Sequence, residues 1–169
     1  MKRIFDLVVS ALGLIFCLPV MAIVALAIKS TSPGPVIFRQ KRLTIGMREF
    51  TIYKFRTMLI DFDKEAKGIQ ISGVSTAITA VGRILRKTKL DEIPQFFNIL
   101  MGDMSFVGPR PELPRRLRHY TDDQKSIFTA RSGVTSPASI VFSDEEFLLN
   151  GVPNPEEFYI QFVMPYKIK

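Results

Sequence analysis

What this sequence has little of already narrows its chemistry. It holds one cysteine, Cys17, and one histidine, His119. A single thiol excludes a disulfide framework, and neither residue type recurs at a spacing that would hold zinc. A lone histidine builds no Cys/His or Ser/His/Asp site without distant partners, so His119, between Arg118 and Tyr120, reads as a surface residue. The sequence also lacks a glycine-rich phosphate loop, a dinucleotide-binding fingerprint and any internal repeat. Acidic residues are in the minority, 16 against 23 Lys and Arg, for a net charge of +7. That excess points to an anionic partner: nucleic acid, an anionic membrane surface or a phosphorylated substrate. At 169 residues one domain is expected, and 47% hydrophobic content is high for a soluble one.

Charge is missing altogether from residues 7–28, a run bounded by Lys2 and Arg3 before it and Lys29 after it. As one straight helix it would be about 33 Å long, enough to cross a bilayer. A cleaved signal peptide using Ala25-Leu26-Ala27 is a second reading, although the apolar region is longer than such peptides carry. A third is a re-entrant helix. Basic residues on both flanks, with Arg39, Lys41 and Arg42 downstream, favour keeping both ends on the cytoplasmic side. Pro19 stands mid-run, where proline kinks or breaks a helix. The two arms would then be about 22 and 16 Å long, each too short to cross. The expectation is a helix-break-helix over residues 1–29, broken at Leu18 and Pro19, that enters one leaflet and returns.

Residues 30–35 (STSPGP) are turn formers. Strands are expected at 36–42 and 49–55, joined as a β-hairpin through a segment containing Gly46, with Arg39 and Lys41 on one face of the first. Lys54 and Arg56 then alternate with aromatics, a pattern that equally suits an RNA-binding strand or a solvated face. Residues 61–67 read as a short exposed helix and 68–75 as a polar loop. Residues 76–87 read as a helix, with Ile78, Val81, Ile84 and Leu85 at helical spacing.

The chain is organised around residues 88–112, TKLDEIPQFFNILMGDMSFVGPRPE. Thr88 as cap, Asp91 at capping-box spacing and Pro94 in the first turn signal a helix start. Ile93, Phe96, Phe97 and Leu100 recur at helical spacing, and Gly102 marks the stop. Asp91 and Glu92 therefore sit at a helix N-terminus, between Arg83, Arg86, Lys87 and Lys89 upstream and Arg110, flanked by Pro109 and Pro111, downstream. Cations and a bound magnesium would neutralise a diphosphate there, while the positive helix end keeps a carboxylate ionised as nucleophile or metal ligand. Acidic residues in a first helical turn are also ordinary stabilisers, so both readings stand at this point. Beyond the stretch, the Arg115, Arg116 and Arg118 cluster reads as membrane-facing or solvated, and helices are expected at 122–131, 144–149 and 155–163.

The run LDEIPQFFNILMGDMSFVGPRPE resembles the signature of the bacterial sugar transferases, monotopic phosphoglycosyl transferases that act on polyprenyl phosphate. The Phe5-Asp6 pair and the Lys-Phe-Arg-Thr-Met element at 54–58 agree with it. The resemblance implies transfer of a sugar-1-phosphate from a UDP-sugar to polyprenyl phosphate through a covalent aspartyl intermediate, with release of UMP. It makes Asp91 and Glu92 the catalytic pair and the Mg2+ ligands, and Lys54, Arg56, Arg86 and Arg110 the phosphate-binding residues. It places residues 30–169 on the cytoplasmic face of the bacterial inner membrane, in contact with membrane lipid. Three departures stand out. Leu18 replaces a common serine, Ser132 replaces a proline so that the loop at 132–137 is expected to be softer, and the sequence stops at Lys169 where the family continues, implying a shortened carboxyl end.

The expected fold is α+β and mostly helical: a re-entrant N-terminal membrane helix, one β-hairpin and several short amphipathic helices in a single domain. The competing class is a non-catalytic basic monotopic membrane protein that binds anionic lipid. An RNA-binding module is disfavoured by the apolar amino terminus, so no nucleic-acid partner is expected.

Overall fold

The uncharged run folds as a single helix, α1 (Lys2–Thr31), that continues through Pro19. The chain thus does not separate into two helices at Leu18 and Pro19. Proline removes one hydrogen bond from the ladder, and packing along the rest of the helix holds it together. The computed structural model describes residues 1–59, 77–141, 152 and 154–168. The helices expected at 61–67 and 144–149 and the loop at 68–75 lie outside the described residues.

The sidedness of α1 is inverted relative to a soluble helix. Its buried positions include Asp6 and Ser10 with Leu14, Val24 and Ile28, whereas Ile4, Phe5, Leu12, Phe16 and Ile23 are exposed. Ser10 returns its hydroxyl to the Asp6 and Leu7 carbonyls of its own helix, and Asp6 is turned inward because it has partners there. Asp6 accepts from Ser105 Oγ at 2.8 Å and from the Phe106 N–H at 3.3 Å. Lys2 donates to the Val107 carbonyl at 2.7 Å, and Arg3 to the Ile99 and Leu100 carbonyls at 2.6 and 3.1 Å. At the far end, Val24 and Ile28 pack with Phe55, Leu85 and Ile93. Both ends of a helix about 45 Å long are therefore tied to the same body of residues.

The hairpin forms as expected: β1 (Ile37–Leu43) runs antiparallel to β2 (Glu49–Phe55), with Ile37 opposite Phe55 and Leu43 opposite Glu49. Alternation places Arg39 and Lys41 outward, with the Arg39 guanidinium 5.8 Å from the centre of the Tyr53 ring. On the opposite face Phe50 and Ile52 are buried with Ile99 and Met104, and the same alternation brings Lys54 inward.

After the undescribed segment comes α2 (Ala80–Thr88), capped by Thr79, whose hydroxyl accepts from the Gly82 N–H at 2.9 Å. Helix α2 lies so close to the chain leaving β2 that a Cβ on Gly82 would stand 2.1 Å from the Thr57 carbonyl oxygen. Gly82→Ala is accordingly expected to cost about 1–3 kcal/mol by forcing the two apart, read from denaturant unfolding. An unchanged midpoint would mean that this contact carries no stability.

Helix α2 ends at Lys89, in left-handed conformation (φ 58), and a 3-10 turn, Leu90–Glu92, leads through Ile93 and Pro94 into α3 (Gln95–Met101). Thr88 is therefore no N-cap: it is the last residue of α2, and its hydroxyl donates back to the Ile84 and Leu85 carbonyls. Gly102 does stop α3, at φ 89, a conformation open to glycine. The buried face of α3 is Gln95, Asn98 and Ile99, while Phe97 is exposed. Asn98 acts as a substitute strand: its Oδ1 accepts from the Tyr53 N–H at 3.0 Å and its Nδ2 donates to the Thr51 carbonyl at 2.7 Å. The free edge of β2 is thereby satisfied and α3 is locked to the hairpin.

Strand β3 (Met104–Val107) pairs in parallel with β4 (Ser132–Thr135), a second sheet that sequence reading missed. The segment at 132–135 is correspondingly a paired strand and not a loop. Ser132 is buried, its N–H donating to Thr44 Oγ1 at 3.3 Å and its hydroxyl to the Leu43 carbonyl at 2.9 Å. Between these strands lie two 3-10 turns, Pro114–His119 and Gln124–Thr129, the second standing where a helix was expected. After β4 come α4 (Pro137–Val141), α5 (Pro155–Phe158), a π turn (Tyr159–Val163) and α6 (Met164–Ile168). Tyr159, Val163 and Met164 pack against Leu43, Tyr120 and Phe128.

Candidate active site

The 3-10 turn Leu90–Glu92 presents the acidic pair, and its position follows from what surrounds it. Ile93 is embedded in the cluster formed by the end of α1, Phe55 of β2 and Leu85 of α2. The two carboxylates next to it are thus held on packed elements. They sit on a turn between two helices, not in the first turn of a helix as the capping pattern implied.

Asp91 and Glu92 meet different environments. Glu92 Oε1 lies 2.6 Å from Lys54 Nζ, and the two side chains keep only 20% and 23% of their surface. Burial pushes the Glu92 carboxyl up, but the charge and hydrogen bond of Lys54, with Arg110 and Lys89, outweigh it and hold it below the ordinary range. Lys54 is pulled below its ordinary value by burial, and by the Arg110 charge, more than Glu92 restores. Asp91 is 8% exposed, and its Oδ1 is sealed from solvent with no hydrogen-bond partner. Burial raises its pKa above the ordinary value, a shift that Lys54, Arg86 and Lys89 oppose without cancelling. Desolvation, rather than a helix end, therefore sets the ionisation of Asp91.

Five of the residues singled out from sequence converge here. Lys54 comes from β2, Arg86 from α2, Asp91 and Glu92 from the turn, and Arg110 acts electrostatically on Lys54 and Glu92 from the loop after β3. Arg86 is oriented by its Nε, which donates to Thr57 Oγ1 at 3.0 Å. Arg56 has a different task. It is 3% exposed, and its guanidinium donates to the carbonyls of Ser32 and Pro33 and, at 2.7 Å, to Ser32 Oγ. It fastens the exit of α1 to the hairpin through its Nη groups, while its Nε is buried without a partner. Leu18 and Pro19 lie on exposed α1 surface.

Two participants escaped the sequence reading. Arg42 lies on the same hairpin face as Lys54, opposite to the Arg39 and Lys41 face: it pairs with Phe50, from which the two-residue strand period leads to Lys54, and alternation from Arg39 and Lys41 already set it on the other side. Glu112 is buried and gathers four donors: the Leu113 N–H and Arg116 on Oε1, and the Tyr120 and Tyr159 hydroxyls on Oε2. Arg116, expected at the surface, is instead 2% exposed and bridges Glu112 and Glu156. A charge with two carboxylate partners is more stable inside than a lone one, which is why the cluster splits and Arg118 remains exposed.

Among the described residues, no group of three or more His, Cys, Asp or Glu side chains could hold a metal. The orphaned Asp91 Oδ1, with Glu92 beside it, still suits a hard divalent cation that takes one or two carboxylates and fills its remaining positions with phosphate and water.

A buried carboxylate pair among cations is a general motif for phosphate chemistry, and similarity to known proteins narrows it. A model of the bacterial sugar transferase family matches residues 1–162. The UDP-glucose:undecaprenyl-phosphate glucose-1-phosphate transferase of Klebsiella pneumoniae is 47% identical over 110 residues, 65% of this chain and 23% of that protein. The Escherichia coli K12 protein of the same name is 44% identical over 172 residues, 99% of this chain and 37% of its own length. A putative undecaprenyl-phosphate N-acetylgalactosaminyl 1-phosphate transferase of Bacillus subtilis 168 is 40% identical over 113 residues, 67% of this chain and 63% of the relative. The chain spans about a fifth to a quarter of the length of several of the curated relatives it matches, at 23%, 21% and 25%. With a family match across nearly its whole length and the carboxylates, lysine and arginines assembled at one place, the chain belongs to the bacterial sugar transferase family.

Proposed function

We propose that this chain transfers a sugar-1-phosphate from a UDP-sugar to a polyprenyl phosphate, with Asp91 as nucleophile. The observation that carries the assignment is the divergence of the acidic pair. Asp91 is desolvated, unpartnered at Oδ1 and raised in pKa, while Glu92 is ion-paired to Lys54 and lowered. Two adjacent carboxylates pushed apart in this way are suited to different roles. Asp91, the more basic and less solvated, makes the better nucleophile; Glu92 holds Lys54 in place.

In the first step an Asp91 carboxylate oxygen attacks the sugar-bearing phosphorus of the UDP-sugar. A bond forms from Asp91 oxygen to phosphorus, and the bond from that phosphorus to the bridging oxygen breaks, releasing UMP. In the second step a phosphate oxygen of the prenyl phosphate attacks the same phosphorus and displaces Asp91, which regains its carboxylate. Two such displacements replace one difficult transfer. Lys54, Arg86 and Arg110 would grip the phosphate oxygens as negative charge shifts. A magnesium ion held by Asp91 or Glu92 and the substrate would offset repulsion between carboxylate and diphosphate.

The placement of α1 supports a monotopic seat on the membrane, with the site near the cytoplasmic face. A helix with both ends bound to one body does not deliver them to opposite sides of a bilayer. Its outward apolar residues, with exposed Ile84, Phe97 and Met101 on α2 and α3, suit contact with lipid in one leaflet.

The test is UMP release from a panel of UDP-sugars with magnesium and a prenyl phosphate in detergent, with intact-protein mass measured without acceptor. UMP together with a sugar-phosphate adduct on the protein is expected. Silence across the panel would move the reading to a lipid-binding protein without catalysis. Because Asp91 must be ionised to attack and its pKa is raised by burial, kcat/KM should fall as the pH drops through a limb above the ordinary aspartate value of about 3.9. A limb at the ordinary value would argue against a desolvated nucleophile.

A further inference from the structure

Arg110 supplies charge to the site from an exposed position on a loop, and something must fix that loop. The fixing contacts come from the end of β1. Arg42 Nη1 donates to the Pro111 carbonyl at 3.1 Å, and the Leu43 N–H donates to the Glu112 carbonyl at 2.8 Å. Two successive residues of the hairpin thus grip two successive residues that follow Arg110. Arg42 is itself steered by Gln40, two residues away on the same strand face, whose Oε1 accepts from Nη2. Its Nε is sealed from solvent without a partner.

Burial lowers the Arg42 pKa to about 10, with Glu112 pulling it up and the like charges of Arg110 and Arg116 pushing it down. A cation kept beside two others in a desolvated place is an expensive way to hold one carbonyl. The two Nη groups of one planar fork reach Pro111 and Gln40 at once, a geometry that a single-headed donor does not reproduce.

We propose that Arg42 is a positioning residue for phosphate capture: it clamps the loop just after Arg110, so that Arg110 faces the Lys54 and Glu92 pair carried by the same hairpin face and the adjoining turn. The inference rests on the transferase reading. Arg42 makes no contact with substrate in this scheme, because its Nη groups are committed to Pro111 and Gln40. It transmits the geometry of β1 to Arg110, and a loop displaced by about 1 Å is enough to lose up to roughly a hundredfold in rate.

The test is a double-mutant cycle on UMP release from whichever UDP-sugar the wild type turns over, using Arg42→Gln, Arg110→Ala and the pair. Arg42→Gln is expected to lower kcat/KM by roughly 10- to 100-fold, yet to have less than about a threefold effect once Arg110 is alanine, since both changes remove the same grip. Amide hydrogen exchange across residues 108–113 should rise in Arg42→Gln and stay at the wild-type level in Arg110→Ala. If Arg42→Gln does not fold, Arg42→Lys, which keeps the charge and loses the forked geometry, takes its place in the cycle with the same expectation. Losses that multiply in the pair, or unchanged exchange at 108–113, would overturn the inference while leaving the transferase reading intact. Absence of turnover by the wild type would overturn the transferase reading and this inference with it.

Discussion

Asparagine at position 91 is expected to lower UMP release roughly a thousandfold or more while leaving the protein at least as stable as the wild type at neutral pH. The amide has no anionic oxygen to offer phosphorus, so the adduct should vanish with turnover. The stability expectation follows from the direction of the Asp91 shift. Its folded-state pKa is raised by burial. A raised carboxyl contributes stability while it is protonated, below its unfolded value, and loses that contribution as the pH climbs through the folded value. At neutral pH the ionised group is a net burden, and a neutral isostere removes it. Glu92→Gln should behave in the opposite sense. The Glu92 pKa is lowered, so its contribution is present above the unfolded value and lost as the pH falls. Replacing it leaves Lys54 buried without its partner, at a cost of about 1–3 kcal/mol. Thermal unfolding in detergent at about pH 7, run beside the activity assay, distinguishes the two. An Asp91→Asn protein that keeps activity within tenfold of the wild type would rule out Asp91 as nucleophile. One that loses stability would show that the carboxylate is held for structure.

The parts of this fold that sequence made legible are those governed by local pattern. Period-two alternation and Gly46 gave the hairpin nearly to the residue, and Gly102 gave the end of α3. The acidic pair drew attention because carboxylates and cations cluster along the chain around Asp91, and the catalytic role given to it came from the resemblance. What stayed hidden depends on partners distant in sequence. Lys89 closes α2 in a left-handed conformation that a lysine does not advertise, so the start of the next helix was placed too early. Asn98 looks like a polar interruption of an apolar face until the edge of β2 is set beside it. Asp6 and Ser10 are buried on a helix whose outward side is greasy, an inversion that hydrophobic periodicity alone reads backwards. The β3 and β4 pair joins Met104 to Ser132 across an intervening pair of 3-10 turns, and neither four-residue strand carries enough pattern to announce itself. Arg56 matched a motif, and only the fold shows that its Nη groups also reach the chain that leaves α1.

The same long-range logic makes Arg116 the position where a single change should destabilise most. Its side chain is 3% exposed, and it reaches Glu112 at 3.1 Å and Glu156 at 2.6 Å. Its guanidinium also lies 4.1 Å from the centre of the Tyr159 ring. These partners raise its pKa above the ordinary arginine value despite burial, mainly through the hydrogen bonds to Glu156 and the charge of Glu112. Alanine would leave Glu112 buried with three neutral donors and only the field of Arg42 to offset its charge, whereas Glu156 would retain Arg115 at 3.4 Å. Breaking one side of a buried ion pair costs about 3–5 kcal/mol, chiefly through the charge left behind. Arg116→Ala is therefore expected to lower the unfolding free energy by about that much, measured by urea unfolding. If the stranded carboxylate is the cause, Glu112→Gln combined with Arg116→Met should be more stable than Arg116→Met alone, because removing the second charge relieves the first loss. Additive losses in that pair would instead assign the effect to lost packing over Tyr159. Since Glu112 follows Pro111 directly and Tyr159 comes from the carboxyl-terminal helical segment, recovery in the double variant would identify this cluster as the electrostatic joint between that segment and the loop that carries Arg110.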